Sequence, residues 1–231
     1  MTKLKKWDVK GKYSFPIDTT GRLNFSMMNI APRRSGKTSF TRYLVKKYFY
    51  NKYDLFIVYT TEPNFKDYDA MLPDNSKIYT NLEDLDKIDI IFEKNAESEK
   101  PANVLLIFDD TISLKQTYDS RILDIYAKGR HYNVSIIYNT QSPTMVSNIW
   151  KENSDFIFIW DPKTAKRKRY AAENLMAGVD GKIFNKPVEE RNHYLKIINE
   201  ITRKKYHIIV INLVDMKLFW FKPPFVKIIN S

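Results

Sequence analysis

Short, β-branched apolar runs alternate with longer amphipathic stretches along the chain. The pattern predicts strands over Leu23–Ile30, Leu55–Thr60, Val104–Asp109, Val134–Asn139, Phe156–Trp160 and His207–Leu213. Several are nearly continuous hydrophobes, as parallel strands covered on both faces tend to be. Helical spacing falls between them, over Lys37–Tyr50, Leu82–Phe92, Tyr118–Lys128, Thr144–Lys151 and Glu189–Lys204. Strands alternating with helices argue for an α/β fold with a mostly parallel central sheet flanked by helices. At the end of the chain, His207–Leu213 and Lys217–Phe221 flank a three-residue connection. They read as a C-terminal β-hairpin that Pro223-Pro224 ends. Lys94–Ala102, KNAESEKPA, reads as a polar surface loop, and the basic residues up to Lys12 as a flexible arm. There is no internal repeat and no shift of composition that marks a domain boundary.

Composition narrows the classes. The 231 residues fit one ordinary globular domain, not two full-sized enzyme domains. With 38 Lys+Arg against 27 Asp+Glu the net charge is +11, which points to nucleic acid or an anionic membrane surface, or to a basic solvated face. The chain has no cysteine, which removes disulfides, thiolate catalysis, zinc fingers and iron–sulfur clusters. No stretch approaches the ~18 apolar residues of a membrane span, and the N-terminus lacks an apolar leader, so an intracellular protein without a membrane span is expected.

After the first long strand comes Ala31-Pro32-Arg33-Arg34-Ser35-Gly36-Lys37-Thr38. This is the phosphate-loop pattern G-x-x-x-x-G-K-[ST], with alanine in place of the first glycine. Gly36 lets the backbone curl so that successive N–H groups face an anion, and the following helix aims its positive end at the same point. Arg33, Arg34, Ser35, Gly36, Lys37, Thr38 and Ser39 are the candidate nucleotide-binding residues. Lys37 would meet the β- and γ-phosphates and Thr38 a Mg²⁺ ion. The alternative is an ordinary strand–turn–helix with a stray lysine.

Val104–Phe108 is an apolar strand opening onto Asp109-Asp110. Buried carboxylates at a strand end need a cation or water. Asp109 fits a Mg²⁺ ligand and Asp110 the base that deprotonates an attacking water; the alternative is that Asp110-Thr111 begin a loop and cap the next helix. At the end of the next strand, Asn139 or Gln141 is placed for the γ-phosphate or the water, against a plain polar loop before Pro143.

The loop at 31–38, Asp109-Asp110, Gly129-Arg130 and Gln141-Ser142-Pro143 fall in the order seen in the FtsK–HerA superfamily of DNA-pumping ATPases. The stretch KGRHYNVSIIYNTQSP (128–143) resembles the small genome-packaging ATPases of poxviruses, other large DNA viruses and virophages. The resemblance implies a RecA-like P-loop motor core over residues 22–170. A basic arm would lie at 1–21, and a C-terminal helix and hairpin at 171–231. It implies a homo-oligomeric ring, pentamer or hexamer, with ATP and Mg²⁺ between subunits and double-stranded DNA in the pore. Capsid vertex proteins would be its partners, in host cytoplasm or virion. By carry-over Lys37 and Thr38 bind phosphate and Mg²⁺, Asp109 holds Mg²⁺, and Asp110 stands where many relatives carry a catalytic glutamate. Gln141 is the sensor-like residue and Arg130 the candidate arginine finger.

Other patterns carry less. Asn51-Lys52-Tyr53-Asp54 spells a guanine-reading tetrad, but precedes a strand where that motif follows one. His131, His193 and His207 have no metal-ligand spacing. Lys163–Arg169 holds five basic residues in seven, and is either a DNA-facing strip, with Lys166, Arg167, Lys168 and Arg169 as the contacts, or a solvated helix face. Two other functions stand beside the DNA motor. A P-loop phosphotransferase would share the loop but calls for a lid that the sequence does not show. A non-catalytic nucleic-acid binder would not need Lys37, Thr38, Asp109 and Asp110 together.

Overall fold

The computed structural model describes residues 4–8, 10, 12, 14–15, 23–113, 116–146 and 148–223. Its strands are β1 (Lys5–Lys6), β2 (Ser26–Ile30), β3 (Leu55–Thr60), β4 (Lys77–Tyr79), β5 (Val104–Asp109), β6 (Val134–Thr140), β7 (Phe156–Ile159), β8 (Ile208–Asn212) and β9 (Lys217–Phe221). The α-helices are α1 (Lys37–Leu44), α2 (Glu62–Asp69), α3 (Asp86–Glu97), α4 (Ser120–Lys128), α5 (Asn148–Glu152), α6 (Ala165–Tyr170) and α7 (Pro187–Thr202). This is the mostly parallel α/β arrangement with a C-terminal antiparallel hairpin that the hydrophobic pattern predicts.

The chain divides into two compact units, one of Met1–Ser14, Met27–Lys37 and Thr140–Ser231, the other of Phe15–Ser26 and Thr38–Asn139. In the first, β2 pairs in parallel with β7, β7 antiparallel with β8, and β8 antiparallel with β9. Every residue of β2, β7 and β8 is buried, which explains why their sequences are unbroken hydrophobic runs apart from Ser26, Asn29 and Asn212. Residues Lys5–Lys6 extend this sheet in parallel beside β9, and Trp7, only 2% exposed, packs edge-on against Phe158 and Phe221. That corrects the flexible-arm expectation for these residues, since burying an indole of this size anchors the segment. Of the basic cluster at Lys3–Lys12, Lys3 lies outside the described residues, as does Pro224 after the hairpin.

In the second unit β4, β3, β5 and β6 run parallel, in that order. After α1 the chain widens into a π-helical turn, Val45–Phe49, and Phe49 meets Phe15, Phe25 and Tyr53. The loop expected at Lys94–Ala102 is helical up to Glu97, because α3 carries Asn95 inward. Its amide donates to the carbonyls of Ala102 and Tyr132 at 2.9 and 2.6 Å. The Asn51–Asp54 tetrad sits at the amino end of β3, where Asp54 accepts from the Asn103 backbone N–H at 2.8 Å, a structural role.

Candidate functional site

In the first unit the loop leaves the carboxyl end of β2. Gly36 has φ +91° and Arg34 φ +59°, so the curl falls on one glycine and one arginine held in the left-handed region. Such a conformation costs a non-glycine residue about 1–2 kcal/mol and is sustained only by its surroundings. Ala31 is not among the positive-φ residues; it is fully buried and its N–H donates to the Thr140 carbonyl at 3.0 Å. A methyl group is therefore accommodated where the phosphate-loop pattern has its first glycine. The Ser35 hydroxyl closes the loop onto the Pro32 carbonyl at 2.5 Å. Arg33 donates through Nε to Gln141 Oε1 at 3.2 Å, linking the loop to the residue just past β6. Lys37, at the start of α1, is 4% exposed.

In the second unit the register places Thr60, Asp109 and Asn139 side by side at the carboxyl ends of β3, β5 and β6, all buried. Carboxyl ends of parallel strands are where open α/β sheets bind ligands. Asp109 Oδ1 accepts from the Asn139 amide at 2.7 Å and from the Thr38 hydroxyl at 3.4 Å. Asp109 Oδ2 accepts from the Tyr68 hydroxyl at 3.0 Å. Asn139 also exchanges hydrogen bonds with Thr41, at 3.0 and 3.1 Å. Burial first, and then the Asp109 charge, push the Tyr68 phenol well above its ordinary pKa, so at neutral pH it is a fixed donor to the carboxylate. The Thr41–Asn139–Asp109–Tyr68 chain holds one carboxylate beside the Thr38 hydroxyl.

A hydroxyl and a carboxylate are hard oxygen donors suited to Mg²⁺, which takes one or two protein oxygens and fills its remaining positions with water and phosphate. Thr60 Oγ1, buried in the same row, has no hydrogen-bond partner among the described residues. Among the described residues no cluster of three or more His, Asp or Glu offers an all-protein metal cage. The Thr38 hydroxyl and the Asp109 carboxylate are a donor set that fits Mg²⁺.

Asp110 follows β5 with φ +58°, and its N–H donates to the Asn139 carbonyl at 3.4 Å. It does not cap the next helix: the N-cap of α4 is Asp119, whose carboxylate accepts from the backbone N–H groups of Arg121 and Ile122. Arg130 lies elsewhere, in a 3₁₀ turn before β6, at the amino end of that strand and thus the opposite end from Asn139. Its carbonyl accepts from the Asn24 amide at 2.5 Å. The preceding glycine is explained by packing, since a Cβ there would stand 2.8 Å from Ile136 Cδ1.

The basic residues at 166–169 occupy α6 but do not share one face. Lys166 and Arg169 are exposed. Lys168 turns inward, donating to Asn199 Oδ1 at 2.8 Å and pairing with Asp161 at 3.4 Å, while the Arg167 backbone N–H donates to the N-cap hydroxyl of Thr164. Burial alone would raise the Asp161 pKa. The backbone and ammonium of Lys163 together with the Lys168 charge outweigh that and hold the carboxyl below its usual range.

Sequence reasoning missed Tyr68 and Thr41. Thr41 stands one turn beyond Thr38 on α1, a spacing that puts both on one helix face and that was legible. Tyr68 is the single buried residue of a polar helix and gave no signal.

Among solved structures, the DNA-packaging ATPase B204 from Sulfolobus Turreted Icosahedral Virus matches with a TM-score of 0.62 at 15% identity, covering 86% of this chain and 97% of that one. The genome packaging NTPase B204 from Sulfolobus turreted icosahedral virus 2, in complex with ATP-gammaS, matches with a TM-score of 0.59 at 17% identity, over 87% and 98% of the two chains. The pCW3 conjugation coupling protein TcpA, with ATPgS, matches at 0.62 and 10% identity, over 96% and 70%. At these identities the likeness is one of fold. A search of curated proteins returned no match. The family model described as Poxvirus A32 protein matches residues 13–214, most of the chain. The chain belongs to the Poxvirus A32 protein family.

Proposed function

We propose that the protein is an ATPase whose hydrolysis of ATP drives double-stranded DNA translocation, packaging a viral genome. The observation that carries this reading is the hydrogen bond between Thr38 and Asp109, which joins the residue after the phosphate loop to the end of β5. The family and the fold shared with packaging NTPases support it.

The loop backbone at Arg33, Arg34, Ser35 and Gly36 cradles the phosphates, Lys37 supplies the positive charge facing them, and Thr38 and Ser39 begin the helix whose N-terminus favours the same anion. Thr38 and Asp109 would hold Mg²⁺, which when bound neutralises developing charge on the phosphates. Asp110 takes the proton of the attacking water, and Gln141, tied to Arg33, orients that water. Arg130, at the amino end of its strand, serves a neighbouring subunit's site in a pentameric or hexameric ring. Lys166 and Arg169, the exposed pair of the run, meet DNA phosphates, contacts that carry no base information and suit a sliding motor, while Lys168 is held inward by Asn199 and Asp161. Residues 22–170 form the motor core. Packaging places the protein in host cytoplasm and at the capsid vertex; among the described residues no helix is long and apolar enough to cross a membrane.

Two variants test the chemistry. Lys37→Ala loses tight nucleotide binding. Asp110→Asn keeps it and loses cleavage, because the side-chain shape remains and the base does not. Wild-type hydrolysis by Asp110→Asn would remove the base from the mechanism.

A further inference from the structure

Thr60 ends β3 with a hydroxyl that no group among the described residues meets, although the residue is fully buried. We propose that Thr60 is a positioning residue for the metal: its hydroxyl holds a water carried by a Mg²⁺ ion beside Thr38 and Asp109. The proposal rests on the ATPase reading above. It adds a residue that neither the phosphate-loop pattern nor the acidic strand end points to.

The sheet fixes where the hydroxyl lies. Thr60 and Asp109 are ladder partners in parallel strands, as are Asp109 and Asn139, so the three side chains leave one face of the sheet. α1 brings Thr38 and Thr41 to that face, and α2, which starts at Glu62, brings Tyr68. Asp109 accepts there from Asn139, Thr38 and Tyr68, and Asn139 exchanges hydrogen bonds with Thr41. Thr60 stands in the same row and takes no part in this network.

Burying a hydroxyl without a partner opposes folding. Strand formation does not call for it: valine has the same β-branched shape, as Val58 shows two residues earlier in β3. A buried polar group without a partner in a native fold marks strain, chemistry or a bound ligand. Thr60 is not among the positive-φ residues, so the backbone supplies no strain to explain it. The neighbouring contact points to the ligand. The Thr38 hydroxyl stands 3.4 Å from Asp109 Oδ1, whereas the Asn139 amide stands 2.7 Å from the same oxygen. A hydroxyl bonded to a carboxylate usually lies at about 2.5–2.7 Å, so Thr38 and Asp109 are two oxygen donors that a small cation can share. Mg²⁺ keeps several of its waters when a protein binds it. A water on a cation has its lone pair committed to the metal and can only donate, and a threonine hydroxyl accepts through two lone pairs where valine cannot.

The test compares the full-length protein as wild type, Thr60→Val and Thr60→Ser, without ligand and with ATPγS, using Mn²⁺ as a spectroscopic stand-in for Mg²⁺. Without ligand, Thr60→Val is expected to melt at or above wild type, by up to about 4 °C, because it removes a buried hydroxyl that nothing meets. With ATPγS present, Mn²⁺ followed by electron paramagnetic resonance should bind Thr60→Val about tenfold more weakly, the scale of losing a group that orients a metal's surroundings. ATPγS affinity in EDTA should stay at the wild-type value. Thr60→Ser keeps the hydroxyl, so it should hold Mn²⁺ as wild type does while melting lower for the loss of a buried methyl. A Thr60→Val protein that melts below wild type would overturn the proposal, because the hydroxyl would then serve the ligand-free fold. Unchanged Mn²⁺ affinity in Thr60→Val would overturn it, and so would a loss that Thr60→Ser shares. An equal loss of ATPγS affinity in EDTA would overturn it by giving the hydroxyl to the nucleotide. A wild-type protein that binds no ATPγS would instead overturn the ATPase reading itself.

Discussion

Removing one oxygen atom tests how the Asp109 carboxylate is held. Tyr68 is fully buried and its hydroxyl lies 3.0 Å from Asp109 Oδ2, itself fully buried. Tyr68→Phe keeps the ring and its packing and deletes the donor. A hydrogen bond to a charged group contributes about 1.5–3 kcal/mol, and the carboxylate left behind cannot recruit bulk water through a buried wall. For a chain of this length that corresponds to a fall in melting temperature of about 3–12 °C. Thermal unfolding followed by circular dichroism measures it. Tyr53→Phe is the internal control. Tyr53 is also buried, but its hydroxyl has neutral partners, the Leu23 carbonyl at 3.5 Å and the Ser135 side chain, so its loss should cost less. The Mg²⁺ concentration needed for half-maximal hydrolysis should also rise in Tyr68→Phe, by about 10–100-fold, the usual effect of removing a group that orients a metal ligand. If Tyr68→Phe melts with wild type, or Tyr53→Phe is the more damaging, the carboxylate does not depend on this bond.

Three further outcomes are expected. Burial, the leading cause in each case, raises the pKa of Tyr53, Tyr59, Tyr68 and Tyr194 above the ordinary 10.0. Above pH 10 the unfolded chain sheds these protons while the native one keeps them, so stability present below pH 10 should be lost as pH rises beyond it, measured as a falling urea midpoint. Gly129→Ala should destabilise by about 1–3 kcal/mol, because its Cβ would meet Ile136 Cδ1 at 2.8 Å and the Val134 carbonyl at 3.1 Å; adding Ile136→Val should recover part of the loss in a denaturant titration. Neutralising Lys166 and Arg169 together should weaken duplex binding equally for all sequences and reduce the slope of log K against log salt by about 1.8, the value for two phosphate contacts on B-form DNA.

The legible parts of the chain were those where burial is continuous. β3, β5 and β9 fall where the hydrophobic runs place them, and β2 begins later than its run, at Ser26, with Leu23 an isolated bridge before it. Asp109 was legible because a carboxylate after five hydrophobes has few structural excuses. The elements that escaped have little apolar content of their own. β1 is two exposed lysines that pair because Trp7 beside them is buried, and β4 is three residues long. α2, EPNFKDYD, is too polar for helical periodicity to show, although it delivers Tyr68 to the carboxylate. Contacts formed by folding over long separations were out of reach as well. Arg33 meets Gln141 across 108 residues, and Lys168 leaves its basic run to meet Asn199. A sequence shows that charges are neighbours along the chain, but not which of them the helix turns inward.

The measurement closest to the central claim is the steady-state rate of ATP hydrolysis with and without long duplex DNA, in wild type and in Lys37→Ala, under conditions where rings form. The account predicts that DNA of any sequence accelerates hydrolysis several-fold, that added salt abolishes the acceleration before it abolishes basal turnover, and that Lys37→Ala is inactive throughout. Hydrolysis that proceeds at one rate whether or not duplex DNA is bound would contradict it, and would leave a P-loop phosphotransferase with a different acceptor as the better reading of the same loop.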